Sequence, residues 1–456
     1  EINSYFKGMQ MLLIKNGQLM DPATGQCGLV DVLVDGDRIA RIGMCGSLDD
    51  MATESMLMSG DVAESGNEAG KAEGDTLVTI DAAGCIVAPG LVDGHVHFRD
   101  PGFTYKEDIE TGAKAAARGG FTSVVMMGNT EPHMDNTDTI KDVLERGKKT
   151  GLNIYACGNV TKGMAGKELV DMDALIGAGA VLFTDDGKPI VDEGLMEKAC
   201  NEAARVGKVI SLHEEDPSFI TDNGVNAGEV AKKLGLVGSP REAEVSMVKR
   251  DIDIARRTGA SITVQHISAA ESVDLIRNAR KEGIRVHAEA TPHHFTLTED
   301  ALLRYGSLAK MNPPLRLESD KMAIIEGIKD GTIEMIATDH APHARQEKAK
   351  DLKEAPSGIT GLETSLSLGI RELVQKGHLS LMDLLKVMTV NPARIYGLDA
   401  GQITEGGFAD LIIFNPNEEW SFVQSQSKSS NTPFLGERLP GKVLYTICKG
   451  KVIYKS

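Results

Sequence analysis

One short stretch of the chain places two histidines and an arginine at alternate positions, His95, His97 and Arg99. Alternate side chains of an extended strand point to the same face, so these three would lie side by side. Two imidazoles on one face can share a metal ion, and a guanidinium beside them can bind a carboxylate through two hydrogen bonds. The same pattern also occurs as exposed polar residues on an edge strand. The apolar Leu91 and Val92 just before it favour a buried strand and a metal site.

Three further residues of metal-binding type follow apolar runs elsewhere in the chain. His213, His266 and Asp339 each come directly after such a run. Taken singly, each histidine could be a hydrogen-bonded core residue, and Asp339 could be the N-cap of the next helix. Taken together they indicate a metal centre, because neutral imidazole suits zinc and a carboxylate beside a metal can both bind it and carry a proton.

Two adjacent carboxylates, Asp185 and Asp186, end another apolar run. Adjacent residues of a strand point to opposite faces, so only one of them is expected to reach a metal. Asp186 and Gly187 also form an Asp-Gly pair, which is common in turns. The pattern by itself does not choose between the two residues.

All these candidates share one position, at the end of a short β-like run. Eight such runs alternate with stretches of helical composition, at 91–98, 123–128, 154–158, 181–184, 209–212, 262–265, 285–290 and 335–338. Strands that alternate with helices form parallel sheets, and eight in succession favour a (β/α)₈ barrel over an open doubly wound sheet. Active sites of such barrels lie at the carboxyl ends of the strands, where these side chains fall.

Both ends of the chain have β character instead. Strand-like runs occur at 11–14, 30–34, 38–42, 410–414 and 444–454. The simplest arrangement pairs the two sets in one small β-sandwich domain. The predicted division is 9–88 for the first part of this domain, 89–398 for the barrel and 399–456 for the second part. Residues 46–75, rich in Gly, Ser, Ala and acids, are interpreted as a flexible surface excursion.

Composition limits the classes of function. The formal net charge is −17, from 49 basic and 66 acidic residues, which disfavours binding to nucleic acid or to an anionic membrane surface. No apolar run is long enough to span a bilayer. The 6 cysteines are scattered without a C-x-x-C pair, as expected of buried or idle thiols in a reducing cytoplasm. A small molecule is therefore the expected partner, and the cytoplasm the expected location.

Longer motifs around these residues resemble the dihydroorotase family of the amidohydrolase superfamily, in the bacterial class without a carbamylated lysine. The matching stretches are PGLVDGHVHFRDPG at 89–102, GGFT at 119–122, FTDDG at 183–187, TPHH at 291–294, KMNPPLR at 310–316, ATDHAPH at 337–343, NPA at 391–393 and NTPF at 431–434. The H-x-H alone marks only the wider superfamily. The stretches at 310–316 and 337–343 are far more specific.

The resemblance implies a role for each candidate residue. The implied metal ligands are His95, His97, Asp186, His213, His266 and Asp339. The positions implied to hold the substrate are Arg99, Asn129, Asn312 and His343, with a backbone contact at Gly358. The choice of Asp186 over Asp185 rests on the resemblance alone. Zinc is the implied cofactor, with two ions per chain expected, although a single ion would use the same residues.

The implied reaction is the reversible cyclisation of N-carbamoyl-L-aspartate to L-dihydroorotate in de novo pyrimidine biosynthesis. In the hydrolytic direction zinc would polarise the amide carbonyl and activate water. Asp339, as the catalytic residue, would take the proton of that water and pass it to the leaving ring nitrogen. Arg99, Asn129 and His343 would hold the α-carboxylate, which gives a chemical reason for a cationic pocket in an acidic chain.

Two other functions fit parts of the pattern. Hydantoinases, dihydropyrimidinases and allantoinases are similar around the H-x-H, but they use a carbamylated lysine where this chain has Thr184-Asp185-Asp186. Some relatives that have lost the metal site act as non-catalytic scaffolding partners of aspartate transcarbamoylase. All six ligand positions are present here, so an enzyme is expected, with such a partner only as an added role. A homodimer is the expected oligomeric state.

The chain also departs from the family pattern. It has Met-Gly-Asn-Thr at 127–130 where the family usually has Met-Pro-Asn-Thr, so the strand end that carries Asn129 is expected to be looser. The excursion at 46–75 is longer than expected for the family. The charged stretch 344–354 after His343 is a candidate lid over the site, or equally a plain solvated loop.

Overall fold

The structure, a computed structural model, describes residues 10–49 and 76–456, which form two sheets and a set of surrounding helices. The first sheet is parallel, and its eight strands neighbour one another in chain order. They are β6 (Leu91–Val96), β7 (Phe121–Met126), β8 (Asn153–Gly158), β9 (Ala180–Phe183), β10 (Val209–Leu212), β11 (Ser261–Val264), β12 (Val286–Ala290) and β13 (Met335–Ile336). Each of the eight predicted runs corresponds to one of these strands.

This parallel sheet closes on itself. The first strand meets the segment after the last one through a parallel bridge between Val96 and His340, and the N–H of His97 donates to the carbonyl of His340 at 2.9 Å. The strands are short and largely buried, as expected where side chains fill the barrel on one face and helices cover the other. The predicted (β/α)₈ barrel is confirmed, and the open doubly wound alternative is wrong.

Helices surround the barrel and connect its strands. In the described residues they are α1 (Ile109–Arg118), α2 (Thr137–Lys148), α3 (Met172–Ala178), α4 (Glu193–Val206), α5 (Glu229–Lys233), α6 (Arg241–Thr258), α7 (Ala270–Lys281), α8 (Pro292–Thr296), α9 (Ala301–Tyr305), α10 (Glu318–Lys329), α11 (Arg345–Lys348), α12 (Ser365–Gly369), α13 (Leu381–Met388) and α14 (Val390–Tyr396). None of them is long and apolar enough to cross a membrane. Helix α1 shows how the sequence sets the bounds, because Asp108 caps its first turn and Gly119 follows its last residue.

The two ends of the chain form the second sheet, here called the terminal sheet. Its strands are β1 (Gln10–Asp21), β2 (Gln26–Asp35), β3 (Arg38–Met44), β4 (Thr76–Asp81), β5 (Ile86–Pro89), β14 (Leu411–Ser421), β15 (Arg438–Cys448) and β16 (Lys451–Lys455). Their order is β16-β15-β14-β5-β1-β2-β3, with β4 also paired to β1. The two chain ends meet where β5 runs antiparallel to β14 and parallel to β1. The predicted pairing of both chain ends is confirmed. Of the excursion at 46–75, residues 50–75 lie outside the described residues.

Candidate metal centre

Four imidazoles converge on the carboxylate of Asp186 at the carboxyl ends of the barrel strands. Its Oδ1 lies 3.6 Å from His95 Nε2, 3.7 Å from His213 Nδ1 and 3.9 Å from His266 Nε2. Its Oδ2 lies 3.3 Å from His97 Nε2. All five side chains are buried, and they form two groups that share Asp186, one with His95 and His97 and the other with His213 and His266. A carboxylate shared in this way can serve one ion on each side of it.

Asp339 adds a second carboxylate to the first group. Its Oδ1 lies 3.0 Å from His97 Nε2 and 3.4 Å from His95 Nε2. The backbone of Asp339 has a φ of 46°, and His266 and Arg99 have φ values of 32° and 58°. Residues other than glycine seldom adopt this region, at a cost of about 1–3 kcal/mol each when strained, and they persist where the surroundings enforce it. Three such residues shortly after barrel strands mark this end of the barrel as the specialised one.

A side-chain acceptor fixes the orientation of three of the four imidazoles. The bonds are from His95 Nδ1 to Glu289 Oε1 at 2.7 Å, from His97 Nδ1 to Asn129 Oδ1 at 3.0 Å, and from His213 Nε2 to Glu215 Oε2 at 3.0 Å. In each ring the bonded nitrogen donates to that acceptor, so the other nitrogen faces Asp186, where it would offer its lone pair to a metal ion. This arrangement is the one that metal-binding histidines use.

The charges of the centre depend strongly on one another. Burial alone would lower the pKa of His95, but Glu289 and Asp186 raise that pKa well above its usual value. Burial opposes ionisation of Asp186, yet His95 and His213 hold its pKa well below the usual range. Against its own burial, His213 has its pKa raised to about 10 by Asp186 and Glu215. The centre therefore favours positive charge, which a bound metal ion would supply.

The residues present fit a metal ion. His95 Nε2 is completely buried and has no hydrogen-bond partner in the described part of the chain, although it faces Asp186 and Asp339. A buried polar atom without a partner requires an explanation, and a bound ion supplies one. Imidazole nitrogens combined with carboxylate oxygens are a donor set that zinc accepts.

Asp185 points away from this centre. Its Oδ1 accepts from the N–H of Val160 at 2.8 Å and from the N–H of Thr161 at 3.2 Å. Its Oδ2 accepts from the hydroxyl of Thr161. Both oxygens are therefore used within the neighbouring loop, and only Asp186 of the adjacent pair faces the histidines.

Arg99 brings a cation to the same end of the barrel. Its Nε donates to the carbonyl of Pro342 at 3.3 Å, and among the described residues it forms no ion pair with a carboxylate. Burial lowers the pKa of Arg99, and the charges of Asp339 and Asp186 oppose that effect. The guanidinium is thus held partly buried near the centre with most of its N–H groups free for a ligand.

The other residues predicted to hold the substrate fall in two places. Asn129 and Asn312 contact the centre, with Asn129 Nδ2 donating to Asp186 Oδ2 at 3.3 Å and Asn312 Nδ2 lying 3.4 Å from His213 Nε2. His343 and Gly358 lie on neighbouring loops. His343 Nε2 donates to the carbonyl of Ser357 at 2.8 Å, which leaves its Nδ1 without a hydrogen-bond partner among the described residues.

Gly128 stands before Asn129, where the family pattern of the sequence analysis has proline, and the side chain of Asn159 packs against it. A Cβ at position 128 would lie 2.7 Å from Nδ2 and 3.0 Å from Oδ1 of Asn159. The Asn159 amide itself donates to the carbonyl of Thr184 at 3.1 Å and is fully buried. A larger residue at 128 would displace this amide, so glycine is the residue that fits here.

The charged stretch 344–354 is fixed by two buried ammonium groups. Lys348, in α11, is 6% exposed and donates to the carbonyls of Pro356 and Gly358 at 2.8 and 3.1 Å. From the other side, Lys310 Nζ donates to the carbonyls of Leu352, Lys353 and Ala355. The stretch is therefore tied at its base to the loop that carries Asn312.

Sequence reasoning missed the carboxylates that orient the centre. Glu289 and Glu215 are not named in the sequence analysis. The local sign that could have found them is a glutamate within an otherwise apolar strand (Glu289) or directly after a strand-end histidine (Glu215). His294 and His340, which follow β12 and β13, bond to the Pro313 carbonyl at 3.0 Å and to the Glu107 carboxylate at 3.4 Å.

Comparison with known proteins identifies the family of this chain. The model of the amidohydrolase family matches residues 86–453. Proteins named dihydroorotase from Clostridioides difficile and Clostridium acetobutylicum are 50% and 46% identical over 98% of this chain and 100% of their own length. The solved L-hydantoinase of Arthrobacter aurescens superposes with a TM-score of 0.80 at 26% identity, covering 97% of this chain and 96% of its own. A dihydropyrimidinase from Brevibacillus agri, at 21% identity and a TM-score of 0.77, shares the fold. The chain therefore belongs to the amidohydrolase family and, within it, to the dihydroorotases.

Proposed function

We propose that this chain catalyses the reversible cyclisation of N-carbamoyl-L-aspartate to L-dihydroorotate at the centre around Asp186. The observation that carries the choice of substrate is Arg99, a guanidinium beside the centre that has no carboxylate partner in the described residues. A carboxylate on the substrate would supply that partner through two charge-assisted hydrogen bonds. Dihydroorotate and carbamoyl aspartate both bear such a carboxylate, whereas hydantoin and dihydrouracil do not.

The proposed ligands are the four histidines with Asp186 and Asp339, and the proposed cofactor is zinc, two ions per chain. Zinc bound there would polarise the amide carbonyl and lower the pKa of water to about 7. Glu289, Asn129 and Glu215 hold the imidazoles so that the unprotonated nitrogens face inward.

Asp339 is the proposed proton carrier. Its Oδ1 already lies within 3.0–3.4 Å of two proposed ligands, so its carboxylate borders the place where the ring carbonyl would react. In hydrolysis it would accept the proton of the attacking water and deliver it to the ring nitrogen as the amide bond breaks. In cyclisation the same carboxylate would take that proton from the ureido nitrogen, as microscopic reversibility requires.

The remaining residues would orient the substrate. Arg99 and His343 would bind the α-carboxylate, and Asn129 would join them through the second hydrogen of its amide nitrogen, because the first is donated to Asp186. Asn312 carries an Oδ1 that has no partner in the described residues and could accept from a ring N–H. Gly358 would contribute backbone contact beside His343.

The second candidate is a hydantoinase-type activity, favoured by the L-hydantoinase superposition. Both candidates use the same barrel, but they differ in the substrate's charge and in the carbamylated lysine that hydantoinases have where this chain has Thr184-Asp185-Asp186. We rank it lower because the relatives that span the whole chain at 46–50% identity are named dihydroorotase.

The test is a direct assay with metal content measured on the same sample. Purified protein should hydrolyse dihydroorotate but not hydantoin, dihydrouracil or allantoin, and should contain zinc near two ions per chain. Arg99→Gln should raise the KM for dihydroorotate by about tenfold or more, since it removes a charge-assisted pair. Activity confined to uncharged cyclic amides would overturn the substrate assignment and leave the centre in place.

Assembly is a separate part of the proposal. We expect a homodimer, and a complex with aspartate transcarbamoylase as an added role. Light scattering of the purified chain, alone and mixed with the transcarbamoylase, would give both masses. A monomer in the first measurement, or no heavier species in the second, would contradict the corresponding expectation.

A further inference from the structure

The segment 425–431 lies in the connection between β14 and β15 of the terminal sheet, yet it packs on the barrel. The hydroxyl of Ser427 donates to Glu107, and the N–H of Lys428 donates to the same carboxylate at 3.0 Å. Glu107 is fully buried and also accepts from His340 Nε2 at 3.4 Å. The segment is therefore fixed against the residue that follows Asp339 in the chain.

The last residue of this segment, Asn431, is 3% exposed and uses both ends of its amide. Its Oδ1 accepts from the N–H of His343 at 2.9 Å. Its Nδ2 donates to the carbonyls of Ala341 and Gly358, each at 3.0 Å. One side chain thus joins the loop after β13 to the turn that contains Gly358.

These bonds hold His343 from its backbone side, while a second contact holds its ring. His343 Nε2 donates to the carbonyl of Ser357, the residue before Gly358. Gly358 is fixed in turn, because its N–H donates to the carbonyl of Lys310 at 2.9 Å and its carbonyl also accepts from Lys348 Nζ. The N–H of Ala341 also donates to the carbonyl of Ile359 at 2.8 Å, but the N–H of His343 itself has Asn431 as its acceptor and would lose it without this side chain.

We propose that Asn431 is a positioning residue for substrate binding, which sets the distance between His343 and the Gly358 turn. This inference rests on the proposed function, because it assigns to Asn431 the placement of groups that would bind the substrate carboxylate. Asn431 makes no hydrogen bond to the residues around Asp186 in the described structure. Its replacement should therefore weaken substrate binding and leave the metal centre and the chemical step nearly unchanged.

The sharpest variant is Asn431→Asp, which keeps the size of the side chain and the acceptor for His343 but sets a carboxylate against two carbonyl oxygens. Asn417→Asp is the matched control, since it makes the same chemical change at an exposed position of β14. Asn431→Ala removes the bonds without adding charge and serves if the aspartate variant does not fold. For each, dihydroorotate kinetics, inhibition by orotate, zinc content and the thermal unfolding midpoint are measured.

We expect the Asn431 variants to raise both the KM for dihydroorotate and the inhibition constant of orotate by about tenfold, with kcat within about threefold of wild type. Zinc content should match that of Asn417→Asp. An unchanged KM, or a loss of kcat in parallel with zinc, would overturn the inference while wild-type turnover upholds the proposed function. If the wild-type protein does not turn over dihydroorotate, the proposed function and the inference on Asn431 are both wrong. The wild-type assay therefore distinguishes this outcome from a failure of the inference alone.

Discussion

Strand β12 contributes one member to each of two histidine–carboxylate pairs, which lie at opposite ends of the barrel. Near its carboxyl end, Glu289 accepts from His95 Nδ1 at 2.7 Å. Near its amino end, His287 Nδ1 donates to Glu334 at 2.6 Å, and Glu334 also accepts from Arg280. The two pairs are chemically alike and almost equal in length.

The surroundings of the pairs differ. His95 is fully buried, and its second ring nitrogen faces Asp186 and Asp339 without a hydrogen bond, whereas the His287 side chain is 23% exposed and shares its carboxylate with an arginine. At the carboxyl end the carboxylates outnumber the cations of the protein that lie near them. The bond to Glu289 therefore orients His95 so that its Nε2 would bind an added metal ion. At the amino end the charges are balanced, so the pair stabilises the fold. Of these two pairs, the one whose second ring nitrogen is buried and has no hydrogen-bond partner among the described residues lies at the candidate metal centre.

The largest expected effect comes from Asp339, the proposed proton carrier at the carboxyl end. Asp339→Asn keeps the shape and one oxygen but cannot take up a proton, so kcat/KM for dihydroorotate should fall by about 10²–10⁴-fold. Asp330→Asn is the control at the opposite end, where the carboxylate accepts from Arg277 and from the N–H of Thr332. Its kcat/KM should stay within about twofold of wild type. More than a tenth of wild-type activity in Asp339→Asn would remove Asp339 from the chemical step.

The next largest effect compares the carboxylates of the two histidine–carboxylate pairs, Glu289 and Glu334. Glu289→Gln leaves a hydrogen-bond acceptor for His95 but removes the charge that raises the basicity of its ring, so zinc affinity should fall by about 10–100-fold. Glu334→Gln makes the same change beside His287 and should leave zinc affinity unchanged. It should lower the free energy of unfolding by about 1 kcal/mol through the lost ion pairs.

Competition with a chromophoric chelator gives the affinities without relying on activity. Equal losses of zinc affinity in the two variants would mean that the comparison between the ends of the barrel is wrong. Equal affinity in Glu289→Gln and wild type would mean that the acceptor, rather than its charge, is what His95 requires.

Much of this arrangement could be predicted from the sequence, for a physical reason. Strands of a parallel barrel are buried on both faces, so each appears as a short apolar run, and the chemistry lies just after it. His213 and His266 could be found in this way because each follows the end of a strand in the chain, and the carboxyl ends of the strands form the site. The fold followed from the count and spacing of the same runs.

The residues that support the site could not be found from local pattern. Asn431 bonds to a residue 88 positions away, and nothing near it in the chain indicates that partner. The choice between Asp185 and Asp186 came from resemblance, and only the backbone of the loop after β9 decides which carboxylate turns inward. Contacts between loops depend on how the barrel closes, so they require the structure.

The smallest expected effect concerns Lys348, a buried cation at the carboxyl end that has no carboxylate partner in the described part of the chain. Lys348 donates only to carbonyl groups, and burial together with the charge of Lys310 lowers its pKa to about 7. In the unfolded chain its pKa is about 10.4. Above pH 7 the folded state therefore releases a proton that the unfolded state keeps, so this group makes stability rise with pH from about 7 to about 10. Below pH 7 both states are charged, and the cost of burying the ammonium is fully present.

Lys348→Met removes this titration and retains the length of the side chain. The free energy of unfolding of wild type, minus that of Lys348→Met, should increase by about 1–2 kcal/mol between pH 7 and pH 9, measured by urea unfolding at fixed zinc and ionic strength. Lys350→Met, at an exposed position two residues along, should show no such trend against wild type. Parallel curves for wild type and Lys348→Met would mean that the two carbonyl bonds offset the burial of the ammonium. The carbonyl groups at the carboxyl end would then stabilise this buried cation, as the carboxylate of Glu334 stabilises Arg280 at the amino end.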